Sequence, residues 1–215
     1  MARRRQVPDL RRRISKISPK RKFILYCEGK KTEPDYFGAL QNVCDGTLIK
    51  IEAIGAVGVP RTIADRSIER AMLHKRSGKK EANSFERLDE VWAVFDRDEH
   101  PDFDQAVNRC REHGVGVARS NPCFEVWLIL HFEDFQCPDG RHAVQKYLKK
   151  ICPDYDPDNG KTINCLDAVK NVGEAEVRAE CQLRKRKEEG LEFSAPSTTV
   201  FELTRAIRTA NVRKV

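Results

Sequence analysis

The chain has 215 residues, of which 34% are charged and 40% hydrophobic. That length supports one substantial hydrophobic core without disulfide or metal staples, and no apolar run approaches the roughly 18 residues a membrane span needs. The formal charge of +7 is concentrated at the start, where residues 1–22 hold ten Lys or Arg against one acid, Asp9.

Arg3, Arg4, Arg5, Arg11, Arg12 and Arg13 dominate this opening stretch, and Pro8 and Pro19 interrupt it. Arginines stand where a secretory signal would have an apolar segment, so the expected compartment is the cytoplasm. Residues 1–22 read as a flexible basic tail. It attracts nucleic acid through counterion release without reading base sequence, or it is a disordered solubilising arm.

An α/β core is expected over residues 23–135. Residues 23–27 form an apolar run rich in strand formers and end at Glu28-Gly29, the pattern of a buried strand. Tyr36, Phe37, Leu40 and Val43 recur at helical spacing, with Thr32 as the expected N-cap. Residues 48–57 alternate as a second strand, which Gly55, Gly58 and Pro60 break. Ile63, Ile68, Met72 and Leu73 mark a second helix, expected to end in a loop at Gly78-Lys79-Lys80. Residues 91–95, Val-Trp-Ala-Val-Phe, are the clearest strand, with the continuous apolar character of the middle of a parallel sheet. They stop at Asp96. A helix over 103–113 and a strand over 114–118 complete the alternation, which implies a parallel sheet with helices on both faces.

The pattern then becomes helical. Asn121-Pro122 looks like an N-cap and first helical position, opening an apolar helix from Phe124 to Phe132. Residues 136–215 are expected to form a mainly helical extension packed on the core. It contains helices over 141–151 and 163–189, a Pro- and Asp-rich loop over 153–160, and a short helix after Pro196. The eight cysteines contain no C-x-x-C pair, which leaves zinc chelation by local pairs unsupported. Those in apolar strings, Cys27 and Cys123 above all, read as reduced core residues.

In an open parallel sheet, functional groups collect at the carboxyl ends of the strands. Glu28 and Asp96 both stand there, and Asp98 lies two residues beyond Asp96. Three converging carboxylates repel one another unless a cation sits between them, and Mg²⁺ or Mn²⁺ suits such hard oxygen donors. Glu125, in the first turn of the apolar helix, is a fourth candidate: it binds a second metal or complements the helix N-terminus. Asn121 is a ligand or a cap. Lys161 stabilises a leaving group or is a solvated loop lysine, and Lys30 and Lys31, beside Glu28, hold substrate phosphate or are merely exposed. His131, on the apolar helix, reads as a satisfied core residue. Gly55-x-x-Gly58 lacks the lysine and hydroxyl of a P-loop, so ATP hydrolysis by this chain is not expected.

Residues 24–34 (Ile-Leu-Tyr-Cys-Glu-Gly-Lys-Lys-Thr-Glu-Pro), residues 91–98 ending Asp-Arg-Asp, residues 120–132 beginning Ser-Asn-Pro-Cys-Phe-Glu, and residues 196–200 together resemble the RloB-like family, which includes the abortive-infection protein AbiLii. The resemblance covers the chain from about Phe23 onward and leaves the basic tail outside. It implies a phage-defence locus in which the protein acts beside an ATPase of the ABC or AAA type. The Glu and Asp-x-Asp pattern is similar to that of TOPRIM nucleases and implies their Rossmann-like, TOPRIM-type parallel sheet. It also implies that Glu28 is a metal ligand or general acid/base, that Asp96 and Asp98 are metal ligands, and that the reaction is hydrolysis of a phosphodiester. A non-catalytic scaffold that binds nucleic acid and the ATPase is the competing expectation. Further copies of the chain are an additional expected partner.

Overall fold

The computed structural model describes residues 21–44, 49–80, 89–97, 100–137, 140–156 and 165–210. Within them, strands β1 (Arg21–Cys27), β2 (Ile49–Ile54), β3 (Glu90–Asp96), β4 (Gly116–Asn121) and β5 (Ser197–Thr198) form one sheet in the order β2-β1-β3-β4-β5. The first four strands are parallel and β5 runs antiparallel to β4. The helices are α1 (Thr32–Val43), α2 (Pro60–Lys80), α3 (Phe103–Glu112), α4 (Glu125–Ile129), α5 (Arg141–Ile151), α6 (Cys165–Lys170), α7 (Val172–Glu188) and α8 (Val200–Ala210). This is the α/β architecture the sequence implies. No helix among the described residues is long and apolar enough to cross a membrane.

Period-two alternation divides the core into two layers. Phe23, Leu25 and Cys27 of β1 join Tyr36, Phe37 and Leu40 of α1, the α4 segment, and Val200, Leu203 and Ile207 of α8 on one face. Ile24 joins Ile63 and Ile68 of α2, Ala93 and Phe95 of β3, and Phe103, Val107 and Cys110 of α3 on the other. Cys27, Cys110 and Cys123 are buried free thiols, acting as small apolar residues. Trp127, fully buried, meets Tyr36 edge-on, a favoured aromatic geometry.

Several elements depart from the sequence reading. β1 begins two residues earlier than expected, its first side chains held by the Arg21–Glu90 and Lys22–Glu52 ion pairs. Thr32 is not a cap but the first helical residue, and Lys31 at the cap position makes no side-chain cap bond. The α2 helix continues through Gly78, since one glycine costs a helix only about 1 kcal/mol. β4 lies two to three residues later than expected, because Gly116 pairs with Trp92, whose ring passes 2.3 Å from where a Cβ would stand. Asn121 is the last residue of β4 rather than a helix cap, and its peptide bond to Pro122 is cis. The apolar helix is only five residues long. Beyond it, His131 and Phe132 donate their amides three residues back, to Leu128 and Ile129, so the chain tightens into turns. The long helix expected over 163–189 is interrupted at Asn171, whose backbone (φ −97°, ψ 17°) leaves the helical region.

The sequence reading missed β5. Its two residues face Asn121 and Ser120, and the Ser120 and Thr198 hydroxyls lie 3.0 Å apart. Just before it, Phe193 has a left-handed φ of 57°, a conformation costing a non-glycine residue about 1–3 kcal/mol. Three contacts offset that cost. The Phe193 carbonyl accepts from Arg97 Nη1 (3.1 Å) and Asn121 Nδ2 (2.8 Å), and the Arg119 guanidinium lies 3.8 Å above its ring. On the far edge, the Ile51 amide of β2 donates to the Gln41 side chain of α1.

His131 is buried, as expected of a core residue, and burial depresses its pKa to about 4. Its Nδ1 lies 2.9 Å from the Trp127 carbonyl and its Nε2 3.0 Å from the Tyr36 hydroxyl. A neutral ring with the proton on Nδ1 satisfies both: it donates to the carbonyl and accepts from the hydroxyl. The unfolded histidine titrates near 6.5, so between these values the unfolded chain binds the extra proton. The stabilisation is therefore complete above pH 6.5 and is lost as pH falls toward 4, to a total on the order of 3 kcal/mol. Urea midpoints at pH 7, 5.5 and 4.5 should fall more steeply for wild type than for His131→Gln. Parallel slopes would contradict the neutral ring.

Candidate functional site

The carboxyl ends of β1 and β3 lie side by side, and the chain turns there from sheet to helix. The Glu28 amide donates to the Val94 carbonyl at 3.0 Å, extending the ladder one step past β1. In return, Glu28 Oε2 accepts from the Asp96 amide at 3.0 Å. Two acids expected at equivalent strand ends are thus tied directly to each other.

Two further acids close on the same edge. Glu33, in the first turn of α1 and 4% exposed, accepts from the Gly29 amide at 2.9 Å. A Cβ at position 29 would stand 1.9 Å from Glu33 Oε2, so a side chain there would make the Glu33 carboxylate move. Glu125, 2% exposed, accepts from the Tyr155 hydroxyl at 2.7 Å and from Gln145 Nε2 at 3.2 Å. Asp96, 7% exposed, receives Arg141 Nη2 at 2.9 Å.

These groups feel one another. Burial pushes the Asp96 carboxyl well above its usual range; Glu33, Glu28 and Glu125 push it further, and Arg141 opposes them. Glu33 rises to about 7, chiefly through burial, with its own and the Gly29 amide opposing and Glu125 and Glu28 adding to the rise. Burial, the Glu125 and Asp96 charges and a bond to Glu125 keep the Cys123 thiol protonated.

The loop carrying Glu28 is braced from β2. Ala56, at φ 56°, donates its amide to the Gly29 carbonyl at 3.0 Å, and Val57 donates to the Cys27 carbonyl at 3.2 Å. Gly55 lies so close that a Cβ would meet the Gly29 and Lys30 carbonyl oxygens at 2.8 and 2.9 Å.

Of the residues expected at the site, Glu28, Asp96 and Glu125 lie at this edge. Lys30 and Lys31 are exposed on the β1–α1 loop beside it. Asn121 ends the next strand and is spent on Phe193. Asp98, Lys161 and the tail arginines Arg3, Arg4, Arg5, Arg11, Arg12 and Arg13 lie outside the described residues. Sequence reasoning missed Glu33, Arg141, Gln145 and Tyr155. The first carried a signal, since an acid five residues after Glu28, just inside a helix beginning at the same strand end, returns toward it. Arg141 and Gln145, four apart, share a face of α5, but nothing in their spacing says what that face covers.

Carboxylate oxygens are the donors that Mg²⁺ and Mn²⁺ take, so the donor set fits a hard divalent cation in chemistry. It is not drawn into a coordination shell: among the described residues no three His, Cys, Asp or Glu side chains are grouped so as to hold an ion. The acids are occupied instead by protein donors.

The model of the RloB-like protein family matches residues 23–207. The chain belongs to the RloB-like family. No curated protein and no solved structure matches it. The matched span of this RloB-like chain runs from β1 into α8 and contains all four carboxylates together with Arg141, Gln145 and Tyr155.

Proposed function

We propose that this chain is a Mg²⁺- or Mn²⁺-dependent nuclease that hydrolyses nucleic-acid phosphodiesters and serves, with an ATPase partner, as the effector of a phage-defence system. The supporting observation is the gathering of Glu28, Glu33, Asp96 and Glu125 at one sheet edge, where burial and the neighbouring carboxylates disfavour the charged forms of Asp96 and Glu33. Residues that perturb one another in this way are arranged for chemistry more often than for stability.

Glu28 and Asp96, with Asp98 two residues on, would hold the ion, and Glu125 would serve a second one. When bound, the ion polarises a phosphoryl oxygen and acidifies a bound water. Glu28 then has the work of a general base, taking the proton of the attacking water on a carboxylate oxygen. Lys30 and Lys31 meet the phosphate backbone beside the site, and the basic tail raises the local concentration of substrate.

One observation favours a second reading, a non-catalytic subunit that binds nucleic acid and the ATPase: Asp96 and Glu125 already pair with side chains of this chain. The two separate in a cleavage assay on mixed RNA and DNA in Mg²⁺ or chelator, with and without the ATPase. Cleavage that vanishes with chelator is the expected result. Intact substrate in every arm, with binding retained, would give the second reading precedence.

A further inference from the structure

We propose that Arg141 is an exchangeable counter-ion, which holds Asp96 in the cation-free protein and moves to a phosphate oxygen of the nucleic acid when a divalent cation takes that carboxylate. The inference rests on the metal-dependent reading above and deepens it with a positioning residue.

The geometry is that of a cover over Asp96. Arg141 is the first residue of α5 and reaches Asp96 across 45 residues of sequence, its Nη2 at 2.9 Å from Oδ2. Its side chain is 29% exposed and that of Asp96 10%, so the cation sits on the solvent side of the pair. One turn along α5, Gln145 donates to Glu125 Oε1. A single helix face therefore covers two of the four acids.

Charge accounting gives the exchange its direction. Facing Asp96 are Glu33, Glu28 and Glu125, and Arg141 supplies the opposing charge. An ion on Asp96 supplies that charge in its place and competes with the guanidinium for the carboxylate. The guanidinium's planar fork accepts a phosphate as readily as a carboxylate. Cation and phosphate should then bind cooperatively, each favouring the state the other needs.

The test titrates Mn²⁺ alone into wild type, Arg141→Met and Arg141→Gln by calorimetry, with circular dichroism confirming the fold. A second arm measures binding of a single-stranded RNA and its DNA counterpart in chelator and in Ca²⁺ at several salt concentrations. Removing the competing charge should tighten Mn²⁺ binding roughly tenfold in both variants. In Ca²⁺, the variants should bind nucleic acid more weakly, with a salt slope smaller by about one phosphate contact. In chelator, their nucleic-acid binding should match wild type, because there the guanidinium stays on Asp96. Mn²⁺ binding by wild type with unchanged or weaker affinity in the folded variants overturns the exchange and leaves the metal reading standing. Absence of Mn²⁺ binding by wild type overturns both.

Discussion

Glu28→Gln should abolish cleavage while leaving the fold in place. Glu28 Oε2 accepts from the Asp96 amide, and the amide oxygen of glutamine accepts equally well at the same reach. The substitution removes the charge and the basicity, not the strand-end tie. Loss of a general base lowers the rate by about 10²-fold or more, and a weakened hold on the cation adds to it. Melting temperature without metal should hold or rise, since one of the repelling charges around Asp96 is gone. The decisive readout is phage plating in cells carrying the whole operon, with abundance and partner co-purification measured alongside. Full protection at normal abundance would sink the nuclease reading.

Gly55→Ala should damage the same site without touching an acid. The added methyl meets backbone oxygens of Gly29 and Lys30 within 3 Å, and backbone cannot swing aside as a side-chain tip can. Overpacking of this kind costs about 1–3 kcal/mol. The strain relaxes by moving the loop that presents Glu28 and receives Glu33, so activity should fall by more than the stability loss explains. Cleavage assayed well below the melting temperature, beside urea unfolding, separates the two effects. A variant with wild-type melting and wild-type cleavage would show that the loop tolerates the shift.

What the sequence made legible follows from the range of the forces involved. β1 and β3 are continuous apolar runs bounded by charge, and α5 has a clean helical period, so local pattern suffices for them. Glu28 and Asp96 follow from the same pattern, because strand ends are where such a sheet exposes polar groups. β5 left no trace, since two residues, Ser197 and Thr198, have no periodicity of their own and are ordered by partners more than seventy residues away. Asn121-Pro122 carried a helix-start signature, but hydrogen bonding to Phe193 and pairing with Ser197 outweighed it. Local propensity is weak beside tertiary contacts of this kind. Glu125 was found through its burial in an apolar stretch, whereas its donors Tyr155 and Gln145 come from elements whose docking no local rule predicts.

The short β5 and the Gln41 side chain at opposite ends of the sheet have a bearing on assembly. Bare strand edges invite copies of a protein to zip together through their main chains, the route to runaway aggregation. Here one flank offers only two residues, and on the other an amide of Ile51 is already taken by a side chain. Among the described residues both of these edges are blunted against main-chain zippering between copies. Any association of the chain is accordingly expected to run through helical surfaces and charged loops rather than through shared β-structure.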